Sequence, residues 1–291
     1  MSGCNVSRMF AVLLFSVCIM CVTAASGQDE IRLIVRGDDM GMTHSANMAF
    51  ERAFNQGVLT SGAVQVCAPW FEEAAELCRK NPGWCVGAHL CLIGEWRGYR
   101  WRPVLPYDQV SSIVDEDGYL YTYPDELFAN NPKIGEIEAE FRAQLELARK
   151  RGIDIQYIDT HYLGYTSYPG IEDVFKKLAR EYDVPVSGMM NETRMRSVYS
   201  APEDQKIELA TQYIEELAPG LWLWVCHIGI ESPDQDALIH TRPDHIFSGG
   251  GVGKHRAAEL ATLTSIQVKS AILKKGVRLM SYNDLWEEMK R

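Results

Sequence analysis

Hydrophobic and polar positions along the chain follow two alternating patterns. Short β-branched and apolar runs are separated by longer stretches whose apolar residues recur at helical spacing. The first short run, IRLIV (Ile31 to Val35), predicts a buried strand. Ser45 to Gln56 predicts a helix with Met48, Ala49, Ala53 and Phe54 on one face, ended by Gly57. SGAVQV (61–66) is a second strand, 70–80 a helix closed by Asn81-Pro82-Gly83, and WCVGAHLCL (84–92) a third strand. The alternation resumes at a helix over 132–151, with Ile134, Ile137, Phe141, Leu145 and Ala148 on its apolar face. IDIQYIDTH (153–161), VPVSGM (184–189), LWLWVCH (221–227) and GVRLMSY (276–282) follow as strands four to seven. Helices over 171–182 and 201–217, one long helix over 257–275 and a closing helix over 283–290 lie between and after them.

Each helix in such an alternation serves as a crossover, so the sheet is expected to be parallel. With seven strands and no G-x-G-x-x-G after the first, a (β/α)-barrel is expected over a doubly wound sheet. It would be closed or nearly closed, seven-stranded and TIM-barrel-like. Residues 94–131 break the rhythm with GEWRGYRWRPVLP and DEDGYLYTYP. They read as an aromatic-rich insertion over one face of a single domain spanning 28–291, and long irregular connections are more often functional than idle.

The first residues differ from the rest. Arg8 precedes the apolar run MFAVLLFSVCIMCV, and small residues follow from Thr23 to Gly27. That is the order of a secretory signal peptide over 1–27, and the run is short for a bilayer span of roughly twenty residues. An uncleaved anchor is the alternative. Export to the periplasm or outside the cell is therefore expected. Net charge is −10; an acidic chain without a basic stripe argues against a nucleic-acid partner. Outside the leader five cysteines remain, Cys67, Cys78, Cys85, Cys91 and Cys226. Buried free thiols are the expectation, with a Cys78–Cys85 bridge left open.

The chemistry is positional. Asp38 and Asp39 follow strand one, His89 lies near the end of strand three, Asp159 and His161 end strand four, and His227 ends strand six. In a barrel these ends open at one mouth. One carboxylate and two imidazoles form a common hydrolytic metal set that leaves positions for water and substrate. Each residue alone would be an ordinary turn aspartate or core histidine; jointly at strand ends they point to a site. His44 reads as a helix-start residue, and His240, His245 and His255 as solvated. Trp70, Trp96, Tyr99 and Trp101 offer flat apolar faces for stacking a ligand or, equally, seal the mouth. Arg36 either contacts substrate or holds Asp38.

At these residues the chain resembles the YdjC-like carbohydrate deacetylases. The resemblance rests on Asp38, Asp39, Met40, Gly41, Asn47, Gly57, Thr60 and Ser61, then VGAHLCL with Gly87 and His89, then YIDTH with Asp159 and His161, then CHIG with His227 and Gly229, and a C-terminal segment beginning HRAAEL. It implies a barrel-like fold and removal of acetyl groups from N-acetylated mono- or oligosaccharides. It further implies Asp39, His89 and His161 as ligands of one divalent metal, Asp38 as general base and His227 as general acid. Magnesium is the family's usual metal, while the donor types also suit zinc. Tyr162 to Tyr165, Cys91 and Ile228 depart from the usual motifs. A non-catalytic sugar-binding or sensing protein on the same fold is the alternative, and a two-carboxylate glycosidase a third reading. A homodimer is left open.

Overall fold

Strand β1, Ile31–Met40, is the spine of the fold. From Leu33 onward both of its faces are buried, as the continuous apolar run requires. The computed structural model describes residues 29–291, so the signal segment expected over 1–27 lies outside the described residues. In chain order there follow α1 (His44–Gln56), β2 (Ser61–Val64), α2 (Phe71–Lys80), β3 (Cys85–Leu90), α3 (Pro124–Ala129), α4 (Ile134–Lys150), β4 (Ile155–Thr160) and α5 (Ile171–Tyr182). Then come β5 (Thr193–Arg194), α6 (Lys206–Glu215), β6 (Gly220–His227), α7 (Pro233–Asp236), α8 (Val252–Thr264), α9 (Ile266–Lys275), β7 (Arg278–Leu279) and α10 (Tyr282–Met289). No helix among them is long and apolar enough to cross a membrane.

The strands form one parallel sheet in the order β4-β3-β2-β1-β6-β5, with β7 paired to the start of β1. The α/β alternation and parallel sheet are as expected. The sheet curves into a half-barrel, and no ladder joins β5 to β4 among the described residues. The expected fifth strand, VPVSGM, shrinks to a single bridge between Val186 and Ile158. Pro185 has no N–H to donate and Gly188 turns the chain at φ 84°, so only two backbone bonds flank Ile158. A two-residue strand at Thr193–Arg194 pairs with β6 instead.

Inside the half-barrel, Ile34, Ala63, Tyr157, Leu223, Met280 and Tyr282 form an apolar plug. Helices α1, α4, α5 and α8 cover the outer face over Leu33, Val35, Val86 and Ala88. Gly87 is needed at its place: a Cβ there would meet three ring atoms of Tyr157 at 2.5 Å. Tyr157 is itself pinned against Tyr282, with ring centroids 4.5 Å apart. Gly87→Ala is expected to destabilise the fold by about 1–3 kcal/mol; an unchanged melting temperature would show that the ring yields freely.

Two further departures bear on the site. The expected helix over 257–275 is two helices, broken at Ser265, which is extended (ψ 147°) and caps α9 by accepting from the Val268 N–H. The first of them starts at Val252, so His255, Arg256 and Glu259 all lie on α8 and face inward. The 94–131 insertion is fixed by Glu140 of α4, whose two oxygens accept from the N–H groups of Val104 (2.9 Å) and Leu105 (3.0 Å). All five described cysteines are free thiols, so no Cys78–Cys85 bridge forms.

Candidate metal centre and active site

Strand register assembles the site. Asp38 of β1 lies directly beside His227 of β6, and His89 of β3 beside Asp159 of β4. Residues at matched register share a face, so both pairs rise on the inner side of the half-barrel. A regular strand would send Asp38 and Asp39 to opposite faces. Instead the β1–β2 register slips between Gly37 and Met40, one extra residue entering β1. Asp39 takes up the slip in a left-handed conformation, φ 72°. Such bulges re-aim side chains next to functional sites, and here both carboxylates line one cavity. Tyr162, directly after His161, is also left-handed, at φ 64°. Strain of this kind costs about 1–3 kcal/mol per residue and persists where the surroundings impose it.

Three atoms converge. Asp39 Oδ1 is 3.5 Å from His89 Nε2 and 3.2 Å from His161 Nδ1, and the two ring nitrogens are 3.2 Å apart. Donor atoms bound to one cation at ~2.1 Å sit about 3.0–3.4 Å from each other in six- or four-coordinate geometry. The outer hydrogen bonds dictate what these atoms present to one another. His89 Nδ1 faces Asp159 Oδ1 at 2.9 Å, and His161 Nε2 faces Glu95 Oε2 at 2.9 Å. Each carboxylate accepts the N–H of its ring, leaving a lone pair on the opposite nitrogen. With both rings neutral, two imidazole lone pairs and a carboxylate oxygen point at a common spot, an arrangement that repels itself unless protons or a metal cation occupy it. Carboxylates behind ligating imidazoles are the usual outer shell of a metal site.

Asp39 is held from both sides, with Arg256 Nη2 on Oδ2 at 2.7 Å and Gln65 Nε2 on Oδ1 at 3.2 Å. Burial pushes its pKa up, but Arg256 and the two imidazoles hold it well below the usual carboxylate range. A second group, Asp38, His89 and Asp159, also has metal-compatible spacing. There a guanidinium already serves as the cation: Arg36 grips Asp38 through Nε (2.6 Å) and Nη2 (2.7 Å), and Asp159 through Nη1 (3.0 Å). Ser187 Oγ accepts from the same Nη1 at 2.5 Å. Against the penalty of burial, Arg36 lowers the pKa of Asp38, so that carboxylate stays ionised. For His227 burial outweighs the nearby aspartates and the pKa is lowered, which leaves the ring neutral near pH 7.

The expected binding residues divide. Arg36 lies beneath the cluster, spent on Asp38, Asp159 and Ser187, and does not line the cavity above it. Trp70 is 42% exposed beside His44, with ring centroids 5.3 Å apart, and also stays out of that cavity. Trp96 lines it, while Trp101 backs His161 at 6.2 Å. At 2% and 3% exposure neither indole offers an open stacking face, so both seal the mouth.

Residues that sequence reasoning missed complete the wall: Glu95, Tyr162, Tyr199, His240, His245 and Arg256. The expectation of solvated histidines is wrong for His240, which is 1% exposed, and for His255, buried on α8. The reason is a contact between two irregular segments. Trp96 of the insertion bridges to His240 of the Gly-rich loop, with Arg97 N–H donating to Ile239 O and Thr241 N–H to Glu95 O. His240 Nδ1 accepts from the Arg242 N–H (3.0 Å), so Nε2 carries the proton and donates to the Tyr162 hydroxyl at 3.0 Å. Burial and the neighbouring His245 lower the His240 pKa to about 4, keeping the ring neutral. The cavity, partly open to solvent, is about 110 Å³.

Comparison with known proteins identifies the family. The family model described as YdjC-like protein matches residues 32–274. The chain belongs to the YdjC-like family. It is 28% identical over 265 residues to a protein from Brevibacillus brevis named carbohydrate deacetylase, covering 88% of this chain and 100% of that one. An Enterococcus faecalis protein of the same name is 27% identical over 262 residues, covering 87% and 98%. Among solved structures, an Enterococcus faecalis protein superposes with a TM-score of 0.72 at 24% identity, covering 88% of this chain and 99% of that one, which shows a shared fold.

Proposed function

We propose that this YdjC-like chain is a metal-dependent hydrolase that removes acetyl groups from N-acetylated mono- or oligosaccharides by cleaving the amide C–N bond. The observation that carries the reading is the convergence of Asp39 Oδ1, His89 Nε2 and His161 Nδ1 within 3.2–3.5 Å of one another, in a chain whose relatives are named carbohydrate deacetylases. Those three residues would hold the cation. A divalent cation there supplies Lewis-acid polarisation of the acyl carbonyl and acidifies water. Two imidazoles favour zinc or a similar transition metal over magnesium, which prefers all-oxygen surroundings.

The remaining chemistry belongs to the protein. Asp38, ionised and locked by the Arg36 fork, takes the proton from the attacking water. His227 is neutral when substrate arrives, so it gives a proton to the departing amine only after receiving one. In this reading Asp38, its register partner on the adjacent strand, passes it on. Cys91 and Ile228, two departures from the usual motifs, are fully buried and outside the cavity, so they leave the donor set untouched.

With a divalent metal and N-acetylglucosamine oligomers, the purified protein is expected to release acetate. Asp38→Asn and His227→Ala should each slow release by about 10²- to 10⁴-fold, the usual contribution of positioned acid–base groups. Absence of acetate from every N-acetylated saccharide offered, with metal bound, would remove the reading. Export guided by residues 1–27 belongs to the same proposal, and the N-terminal mass of the secreted chain tests it.

A further inference from the structure

The mechanism above leaves buried hydrogen-bond donors unused. Arg256 is 1% exposed, and Nη2 is its one spent nitrogen, on Asp39 Oδ2 at 2.7 Å. No acceptor among the described residues reaches its Nε or Nη1. Trp96, 2% exposed, likewise has an Nε1–H without a partner. Both side chains line the cavity that holds Asp38, Asp39, His89, His161 and His227, and the Arg256 guanidinium lies 5.8 Å from the centre of the Trp96 ring. Unsatisfied buried donors are rare in folded proteins, and those on a charged group are the most costly to leave unpaired.

We propose that Arg256 and Trp96 form a donor pocket for the acyl oxygen, which makes Arg256 a catalytic residue and not only a brace for Asp39. The proposal rests on the deacetylase reading of the site. When water adds to the acyl carbon, a C–O bond forms and the carbonyl π pair moves onto the oxygen. The oxygen pair then returns to re-form the carbonyl as the C–N bond breaks, the C–N pair goes to nitrogen with a proton, and acetate leaves. Negative charge on the acyl oxygen therefore exists only during the reaction. Donors fixed in advance for that charge accelerate the step without reorganising.

Formal charge favours this occupant over an acidic substituent on the sugar. Around the cavity the carboxylates of Asp38, Asp39, Glu95 and Asp159 are matched by Arg36, Arg256 and one divalent cation. No surplus positive charge remains to select an acidic substituent on the sugar, whereas acetate, the product, would be held as a ligand of the cation with an oxygen on these donors. The unspent N–H groups thus suit an oxygen that gains charge transiently.

The test compares Arg256→Lys and Trp96→Phe with the unaltered metal-loaded protein. Three quantities are read: metal content, kcat and KM for acetate release, and affinity for acetate by calorimetry. Trp96→Phe removes the indole N–H together with one of the two fused rings, and the Trp96 side chain makes no polar contact with Asp39, His89 or His161. The pocket predicts that Arg256→Lys lowers kcat by about 10²- to 10³-fold and Trp96→Phe by about tenfold or more, the scale of lost oxyanion donors. KM should stay within a few-fold, metal content should stay intact in Trp96→Phe, and acetate should bind more weakly to both variants. If activity falls in Arg256→Lys only in step with lost metal, while Trp96→Phe keeps its kcat and acetate affinity, the pocket is overturned. Unchanged kcat and acetate affinity in both variants also overturn it. If the unaltered protein hydrolyses no sugar amide yet binds acetate through Arg256 and Trp96, the pocket stands and the deacetylase reading fails.

Discussion

Replacing His89 by Ala is expected to abolish cation binding and to lower the proposed acetate release by more than about 10³-fold, beyond the loss expected from a single transition-state donor. The ring supplies one corner of a three-atom triangle whose other corners are 3.5 and 3.2 Å away. Asp159→Asn gives a graded result. The amide can still orient His89 but no longer raises its basicity, so metal affinity should fall by about 10- to 100-fold while saturating metal restores much of the activity. Glu95→Gln should behave the same way through His161, whose Nε2 it holds at 2.9 Å. Metal titration by calorimetry, followed by assay at saturation, separates the two classes. Full metal affinity in His89→Ala would mean that the triangle is not the binding site.

The second large effect is on pH. Burial pushes the His89 pKa down, but Asp159 and Asp38 override it and raise it to about 10. His161 is likewise raised against burial, first by Glu95. In the metal-free protein both rings hold protons at neutral pH. Because the folded pKa lies above the unfolded value of about 6.5, the ion pairs contribute fully below pH ~6.5 and are lost as pH rises towards 10. The metal-free protein should therefore lose on the order of 3–5 kcal/mol across that window, read as a falling melting temperature. The metal-loaded protein should not, since there the cation replaces the protons. Binding must correspondingly release protons and weaken as pH falls. A metal-free melting temperature that stays flat from pH 6.5 to 10 would contradict the assignment of protonated rings.

The contrast between what could and could not be read in the chain has a physical basis. Regular elements announce themselves through local periodicity: β1, α4 and α5 lie within a few residues of where Ile31–Val35, the 132–151 stretch and the 171–182 stretch predict them. The converging Asp39, His89 and His161 were legible because each ends or follows a strand, and parallel strands share an open end. Barrel closure was not legible, because pairing between the 184–189 segment and β6 is a non-local choice that Pro185 and Gly188 decide against. Glu95, His240 and Arg256 escaped notice for a related reason. Glu95 and His240 sit on irregular segments whose mutual contact leaves no period in the sequence. Arg256 was hidden by an extended helix start at Val252, before the apolar pattern becomes clear. A charged residue beside Trp96 at the head of the aromatic-rich insertion was the one available hint of Glu95.

The pairing of Trp96 with His240 reaches beyond the reaction itself. Because each strip of irregular chain is hydrogen-bonded to the other, neither can diverge alone without exposing the other's backbone groups. Changes in preferred sugar should therefore arise through paired substitutions on both strips. Grafting only one strip from a relative of different taste should yield a leaky enclosure with poor discrimination, whereas moving both together should transfer the preference.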